Sequence, residues 1–299
     1  MKRILITGAN GLLGQKLVYT LRNRYEVVAS GVEKDFVFKK NKSNYIIFDI
    51  TNPTHCKQIV DNIKPNIIIN AASITNVDEC EIKRELCWNV NVKGVENLAS
   101  AAKRNMALLI HISTDYIFDG KDGPYTEEDR PNPIGYYGKA KLASENVCRM
   151  MGVPFAIIRT SVLFGLGISV KQNFFLWLNT NLKQGKDVNI VTDQFNTPTL
   201  VDDLVSGILK LIQSSAYGLY HMSGKDYINR YDFAITLANS FGYDKSLIHP
   251  ITTKSLNQQA NRPMKGGLKV DKAMNEINYN PKAIDEVFDY LKTQLQDGK

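Results

Sequence analysis

Short, nearly all-apolar runs recur through the first half of the chain, at Ile4 to Thr7, Glu26 to Ala29, Tyr45 to Phe48, Asn66 to Asn70, Ala107 to Ile112 and Pro154 to Arg159. Runs apolar on both faces suit strands covered from above and below. Helix-compatible stretches separate them: Leu12 to Arg22, Thr54 to Ile63, Ile82 to Arg104 with interruption, and Gly138 to Met150. Alternation of this kind returns each strand parallel to the one before, so the pattern predicts an α/β fold on a doubly wound parallel sheet. After Gly165 the rhythm changes to a helix-like Gln172 to Leu182, a short strand Val188 to Val191, a loop at Asn196-Thr-Pro-Thr199, helices after Leu200 and Arg230, and an amphipathic Ile284 to Leu295. We expect residues 1–165 to bind a dinucleotide and residues 166–299 to form mainly a smaller substrate lobe. A strand near Gly218 to Met222 is a candidate to rejoin the main sheet.

The first strand runs straight into Gly8-Ala-Asn-Gly11-Leu-Leu-Gly14 and then a helix. Glycines here permit a tight turn and close approach of backbone to a pyrophosphate, which the first amides of the helix then face. Three glycines at this spacing also serve an ordinary strand-to-helix turn. The position, after a buried strand at the start of a Rossmann-like alternation, favours the dinucleotide cradle, with Gly8, Asn10, Gly11, Leu12, Leu13 and Gly14 as its candidate residues.

In Tyr137-Gly-Lys-Ala-Lys141 a phenol and an ammonium four residues apart share one helix face. A positive charge beside a phenol favours phenolate and lowers a pKa that starts near ~10, so the pair is a candidate proton donor to a carbonyl. A chance surface pair has the same spacing. A second cluster, His111-Ile-Ser113-Thr114-Asp115-Tyr116, closes an apolar strand with hydroxyls and a carboxylate. Ligands of open parallel sheets sit beyond such strand ends, which places Thr114 within reach of the carbonyl that Tyr137 would serve. A local capping cluster is the alternative.

With 299 residues, 43% of them hydrophobic, the chain can bury a large core. No run approaches the ~20 apolar residues of a membrane helix, and the start lacks a signal-peptide core, which points to the cytoplasm. Cys56, Cys80, Cys87 and Cys148 have no paired metal spacing, so neither a disulfide framework nor a metal site is indicated. The formal charge of +7 suits an anionic substrate such as a nucleotide derivative. Its lysines and arginines are spread out and no recognition motif is present, which argues against nucleic acid.

The motifs Thr7-Gly-Ala-Asn-Gly-Leu-Leu-Gly14, Asn70-Ala-Ala72, Ser113-Thr-Asp-Tyr-Ile-Phe-Asp-Gly120 and Tyr137-Gly-Lys-Ala-Lys141 together resemble those of extended short-chain dehydrogenase/reductases. Within that group the chain looks most like dTDP-4-dehydrorhamnose reductases, with further matches at Arg159-Thr-Ser161, Asp193-Gln-Phe-Asn-Thr-Pro-Thr199, Gly218-Leu-Tyr-His-Met-Ser-Gly224 and Arg262-Pro263. Two positions depart from the pattern. Val162 stands where the family often has tryptophan near the sugar, which leaves the sugar open, and Asn196 stands where glycine is usual.

The resemblance implies NAD(P)H-dependent reduction of the 4-keto group of a nucleotide-linked deoxysugar. Tyr137 would protonate the ketone oxygen, Thr114 would hydrogen-bond it, and Lys141 would tune Tyr137 and hold the nicotinamide ribose. Asp49 and Ile50 would lie against the adenine, Ala71 and Ala72 along the cofactor, with Ser30 and Ser113 also lining it. Asp49 equally starts a turn, and Ala71-Ala72 equally reads as close packing. Asp115, Tyr116, Asn173 and Arg262 are the substrate candidates, Arg262 forking onto a diphosphate or standing as a surface arginine. Asn91 matches a family asparagine or is a plain helix-surface amide.

The second strand ends near Ser30-Gly31 with no aspartate at its tip, Glu33 comes late and Lys34 is close, which favours NADPH and leaves NADH open. The position after Asp115 is Tyr116, where a sugar-nucleotide dehydratase needs a second acid. A nucleotide-sugar 4-epimerase, and a non-catalytic regulatory subunit resembling the β subunit of methionine adenosyltransferase, are the competing functions. Family habit implies a homodimer.

Overall fold

The computed structural model describes residues 1–38, 44–256 and 258–297. The chain runs β1 (Arg3–Thr7), α1 (Leu12–Leu21), β2 (Glu26–Gly31), β3 (Asn44–Ile47), α2 (Pro53–Ile63), β4 (Ile67–Asn70), α3 (Val77–Ile82), α4 (Arg84–Trp88), a π-helical turn (Asn89–Lys93), α5 (Gly94–Arg104), β5 (Leu108–Thr114), α6 (Tyr136–Met150) and β6 (Phe155–Thr160). It continues through β7 (Leu163–Phe164), α7 (Phe174–Lys183), β8 (Val188–Val191), β9 (Phe195–Asn196), β10 (Thr199–Leu200), α8 (Val201–Ser214), β11 (Gly218–His221), β12 (Ile228–Asn229), α9 (Arg230–Phe241), β13 (Ile248–Ile251), α10 (Asp271–Ile277) and α11 (Ile284–Asp297).

The main sheet has seven strands in the order β11-β6-β5-β4-β1-β2-β3, all parallel. The order reverses beside β1, at the switch point where a crevice opens beyond the strand ends. Side chains of a strand alternate between faces, and the core divides accordingly. Ile4 and Ile6 of β1 join Ile67 and Ile69 of β4 under α1 and α8. Leu5 and Ile68 point the other way, against Val60 of α2 and Val95, Leu98 and Ala102 of α5. Each fully buried Leu or Ile contributes about 1.5–3 kcal/mol, which is why these strands need apolar residues at every position.

The expected strand near Gly218 to Met222 does rejoin the sheet. β11 pairs with β6 in the register Gly218↔Ala156 to His221↔Arg159, and Leu204, Val205 and Ile208 of α8 pack in the same cluster as Leu17 and Val18 of α1. A separate cluster forms the second lobe: Phe175, Leu178, Phe233, Leu237, Phe288 and Leu291 from α7, α9 and α11, against β8 and β13. The long helical stretch expected from Ile82 begins earlier, at Val77, and is broken into α3, α4, the π turn and α5. Lys83 leaves helical geometry at φ −104°, ψ 59°, and the buried amide of Asn91, within the π turn, is committed to the backbone of Ile74. Among the described residues no helix is long and apolar enough to cross a membrane.

Candidate active site

The cradle after β1 is built from backbone. Gly8 has φ +67°, and a Cβ there would come within 2.8 Å of the Ala71 and Ala72 backbone. A Cβ on Gly14 would strike the Gly8 carbonyl. Gly11 caps α1 without any side-chain hydrogen bond, so the first amides of the helix keep their donors for an anion. These features fit a dinucleotide pyrophosphate, with Gly8, Gly11 and Gly14 forming the turn and Ala71 and Ala72 the opposite wall. Leu13 is buried in the core beneath it, and Leu12 is half-buried. Buried Gln15, which carried no role in the sequence reading, locks a loop over the cradle: its amide donates to the carbonyls of Asn10 (2.7 Å) and Ile168 (2.9 Å) and accepts from Ile168 N (2.9 Å).

At the tip of β2, Asn10 donates to Glu33 Oε2 (3.2 Å) and to the Asp35 carbonyl (3.0 Å), and accepts from Val37 N (3.1 Å). The same Glu33 oxygen lies 2.7 Å from where a Gly31 Cβ would stand. A carboxylate therefore does stand beside the strand tip, although it comes two residues later than the usual position. Ser30 does not take the place expected of it. It is fully buried, and its hydroxyl donates to the Ile6 carbonyl at 3.0 Å inside the sheet.

Two more cofactor candidates, Asp49 and Ile50, make contacts of their own within the fold. Asp49 accepts from Thr51 N (2.9 Å) and Thr51 Oγ1 (2.8 Å), which is the turn that was the alternative reading, and Ile50 packs its side chain into the core against Gly94. Ser113 is buried and donates to Glu145 Oε1 at 2.6 Å. Glu145 is held in turn by Arg159 Nε (2.9 Å) and Nη2 (2.8 Å). This buried pair fixes α6 to the sheet, and the guanidinium keeps the Glu145 carboxyl below its ordinary range despite burial.

The sequence places Tyr137 and Lys141 in the first turns of α6, and between them Gly138 packs on the Tyr116 carbonyl, which a Cβ would strike. Tyr137 and Lys141 are both buried. The phenol departs from expectation: burial pushes its pKa well above 10, with Asp115 and Cys80 acting in the same direction and the Thr114 hydroxyl acting against them. The ammonium does not bond the phenol. Lys141 Nζ donates to the Ile112 carbonyl at 2.6 Å and lies 3.3 Å from His111 Nε2. Burial also pulls Lys141 down to about 8, with Glu145 opposing it. Tyr137 is thus held fully protonated, the state from which a donor acts.

Thr114 accepts from Tyr116 N at 3.2 Å, beside the phenol. Asp115 is not on the cleft surface. Its Oδ2 accepts from Ser161 Oγ (2.7 Å) and Gly267 N (3.3 Å), tying the end of β5 to β6 and to the loop before α10. Burial raises its pKa. Tyr116 is half-buried and does face the cleft, where the charges of Arg230 and Arg262 bear on it.

Arg262, expected to fork onto a diphosphate or to stand on the surface, is not a surface arginine. Its side chain is 10% exposed and paired with Asp78 Oδ2 at 2.7 Å, while Nη1 donates to the Ala260 carbonyl. Asn173 is likewise spent, capping α7 through Leu176 N (3.1 Å) and donating to the Gly165 carbonyl (2.9 Å). A cation without an ion pair among the described residues stands near it, Arg230, a residue the sequence reading passed over. It lies 4.7 Å over the Phe174 ring, has no carboxylate within salt-bridge distance among the described residues, and lines a small pocket with Val162, Asn196, Asn229 and Phe233. A signal was available: Arg230 opens α9, where the helix dipole disfavours a cation unless an anion is to be met there. Val162, at the tryptophan position, lines the same pocket at φ +40°, a strained value for a β-branched residue. Asn196, which stands where glycine is usual, sits in extended β9 opposite Ile228, where no left-handed backbone is required.

A parallel sheet with its glycine cradle at the switch point, and a tyrosine, lysine and threonine beyond the next strand end, define a nicotinamide-dependent oxidoreductase fold. The chain belongs to the dTDP-4-dehydrorhamnose reductase group of extended short-chain dehydrogenase/reductases, the family described as RmlD substrate binding domain matching residues 1–294. It is 34% identical over 296 residues to the dTDP-4-dehydrorhamnose reductase of Aggregatibacter actinomycetemcomitans, covering 94% of this chain and 95% of that one. It is 30% identical over 258 residues to the methionine adenosyltransferase 2 subunit beta of Xenopus laevis, covering 84% and 75%. The crystal structure of dTDP-4-dehydrorhamnose reductase from Bacillus anthracis in complex with NADP has TM-score 0.88 and 31% identity, covering 98% of this chain and all of the other.

Proposed function

We propose that the protein reduces the 4-keto group of a nucleotide-linked 6-deoxysugar with NADPH, as a dTDP-4-dehydrorhamnose reductase in dTDP-L-rhamnose synthesis. The observation that carries this reading is the buried Tyr137 phenol beside the Thr114 hydroxyl, with Tyr116 where a dehydratase needs its second acid. Bound reduced nicotinamide supplies a hydride to the carbonyl carbon. Tyr137 donates its proton to the carbonyl oxygen, and Thr114 hydrogen-bonds the same oxygen as charge gathers there, so the ketone becomes an alcohol without a free alkoxide. Lys141 offers the ammonium that compensates the phenolate left behind. Arg230, unpaired at the pocket, takes the diphosphate in place of Arg262.

Residues 1–165 hold the coenzyme on this reading, and residues 166–299 supply most of the sugar-nucleotide pocket. NADPH is supported by the relative solved with NADP. Glu33 beside the Gly31 tip supports NADH as a second reductant. On the family resemblance we place the protein in the cytoplasm as a homodimer, which sedimentation of the purified chain reads directly.

The test is oxidation of NADPH, followed by absorbance, with dTDP-4-dehydro-6-deoxy-L-mannose, comparing wild type with Tyr137→Phe. Turnover by wild type alone supports the reading. The similarity to a methionine adenosyltransferase regulatory subunit favours a second one: a stoichiometric complex with a synthetase and no turnover would put the protein there.

A further inference from the structure

Gln15 is 2% exposed and commits its whole amide to two distant pieces of chain. Nε2 donates to the Asn10 carbonyl in the glycine turn at 2.7 Å and to the Ile168 carbonyl at 2.9 Å, while Oε1 accepts from Ile168 N at 2.9 Å. One orientation of the amide satisfies all three, because a flip would set the NH2 group against the Ile168 N–H and the oxygen against two carbonyls. A single side chain thus grips both backbone groups of a residue 153 positions away.

Ile168 lies within a strap, residues 166–172, that joins β7 to α7. The two ends of the strap are pinned to each other: Asn173 Nδ2 donates to the Gly165 carbonyl at 2.9 Å, and Asn173 Oδ1 caps α7. Residues 167–172 are exposed except for half-buried Val170, and among the described residues Gln15 is the one side chain outside the strap that hydrogen-bonds to them. Gly167 lets the strap sit down on α1. A Cβ there would come within 3.2 Å of Gln15 Oε1 and Leu12 Cδ1, and within 2.7 Å of Val170 Cγ1. A surface loop held by so few bonds is ordered or released with those few.

Helix α1 follows β1 and α3 follows β4, so the two helices flank the crevice at the switch point of the sheet. Gln15 sits one residue past Gly14, at the end of α1 whose free amides face the pyrophosphate site. From there the strap reaches toward the other flank, where Glu79 of α3, a carboxyl lowered chiefly by its bond to Lys83, also feels the charge of Lys171. The strap therefore crosses the mouth of the crevice.

We propose that Gln15 is the latch of a coenzyme clasp: its amide holds the 166–172 strap down across the pyrophosphate crevice, so that bound NADPH is retained until the strap lifts from α1. The proposal rests on the oxidoreductase reading above, and Gln15 acts on the coenzyme through the strap, as a positioning residue. Holding the strap in place beforehand removes from NADPH binding the entropy loss of ordering it. The pin between Gly165 and Asn173 is independent of the latch, so lifting the strap leaves Phe174 and Arg230 in place. The latch governs coenzyme exchange and not the sugar-nucleotide pocket.

The experiment uses the full-length protein as wild type, Gln15→Met and Gly167→Ala. Methionine matches glutamine in length and removes every bond of the latch, while Gly167→Ala crowds the strap off α1 from its exposed side and leaves the helix itself unchanged. NADPH dissociation is followed by stopped-flow coenzyme fluorescence on displacement with excess NADP+. The strap is followed by tryptic cleavage after exposed Lys171, read by mass spectrometry. Each variant is expected to release NADPH about tenfold faster, the equivalent of one or two hydrogen bonds. Each should also be cut after Lys171 faster than wild type, with and without NADPH. KM for the sugar nucleotide should stay within about twofold of wild type.

A wild-type rate of NADPH release in the folded variants would overturn the proposal. So would faster release without faster cleavage at Lys171, which would put the effect in the glycine turn and not in the strap, or a sugar-nucleotide KM raised as much as the release rate. If Gln15→Met does not fold, Gly167→Ala decides the matter alone, because residue 167 is on the surface. A wild type that binds NADPH and does not reduce the sugar would count against the reductase reading and leave this test standing.

Discussion

Tyr116 meets Tyr137 edge to face, the ring centroids 5.8 Å apart and the planes at 71°. The first ring walls the second off from the cleft on one side, so the phenol is reached from the Thr114 side, and its raised pKa keeps it protonated through neutral pH. Tyr137→Phe keeps this packing and removes only the proton. The variant should fold with wild-type stability, bind NADPH, and lose about 10²–10⁴-fold in kcat. Wild-type turnover should also decline as pH rises through about 8, where Lys141 loses its charge. A pH–rate profile flat to pH 10 would contradict that assignment.

Arg230 and Arg262 separate by what already holds them. Arg230→Gln should raise KM for the nucleotide sugar by about 10–100-fold, the worth of a charge-assisted contact to a phosphate, with NADPH affinity unchanged. Arg262→Gln breaks the Asp78 pair, and its main effect should be a lower melting temperature. Steady-state kinetics and thermal melts on both variants distinguish these outcomes.

Glu33 should oppose a 2′-phosphate and accept a 2′-hydroxyl. Glu33→Ser is expected to raise the NADPH-over-NADH ratio of kcat/KM by about tenfold, or ~1.4 kcal/mol. An unchanged ratio would remove Glu33 from the ribose site.

Gly14→Ala places a methyl group against the Gly8 carbonyl and the Ala9 Cα. Both are backbone and cannot swing aside, so the substitution should cost about 1–3 kcal/mol in urea denaturation and weaken NADPH binding in parallel. Gly185, with nothing within 4 Å of its would-be Cβ, is the control for crowding, although its φ of +67° carries its own strain.

His221 is fully buried against Arg159 (3.2 Å), and burial followed by that charge depresses it from 6.5 to about 3. Between these values the unfolded chain binds a proton that the folded chain refuses, so stability falls as pH drops below 6.5. The urea midpoint should decline from pH 6.5 to 5, and His221→Gln should flatten that slope. An equal slope in the variant would assign the acid sensitivity elsewhere, with His111 the next candidate because it is displaced in the same direction.

The sheet was legible because its strands are apolar at every position, and the cradle because glycine spacing reports a backbone requirement directly. Tyr137, Lys141 and Thr114 were legible because strand ends and helix starts gather side chains at a known edge of the sheet. What spacing does not carry is where a polar side chain spends its hydrogen bonds. Ser30, Ser113, Asp115 and Asn173 lie close to the expected site in sequence, yet each is satisfied by the Ile6 carbonyl, Glu145, Ser161 or the α7 backbone. The ion pair of Arg262 was hidden for the same reason, since Asp78 lies 184 positions away in the chain. The expected lowering of the phenol gives way to burial, which spacing does not report, and a backbone carbonyl outside the helix captures the Lys141 ammonium.

The pairing of β11 with β6, and of α8 with α1, means that the polypeptide crosses to the sugar side and then comes home. Scission after Gly165 would bare a hydrogen-bonding edge and strip the cover from one flank of the coenzyme floor. The two halves are therefore not separable modules, because the returning strand completes the sheet that the first half begins.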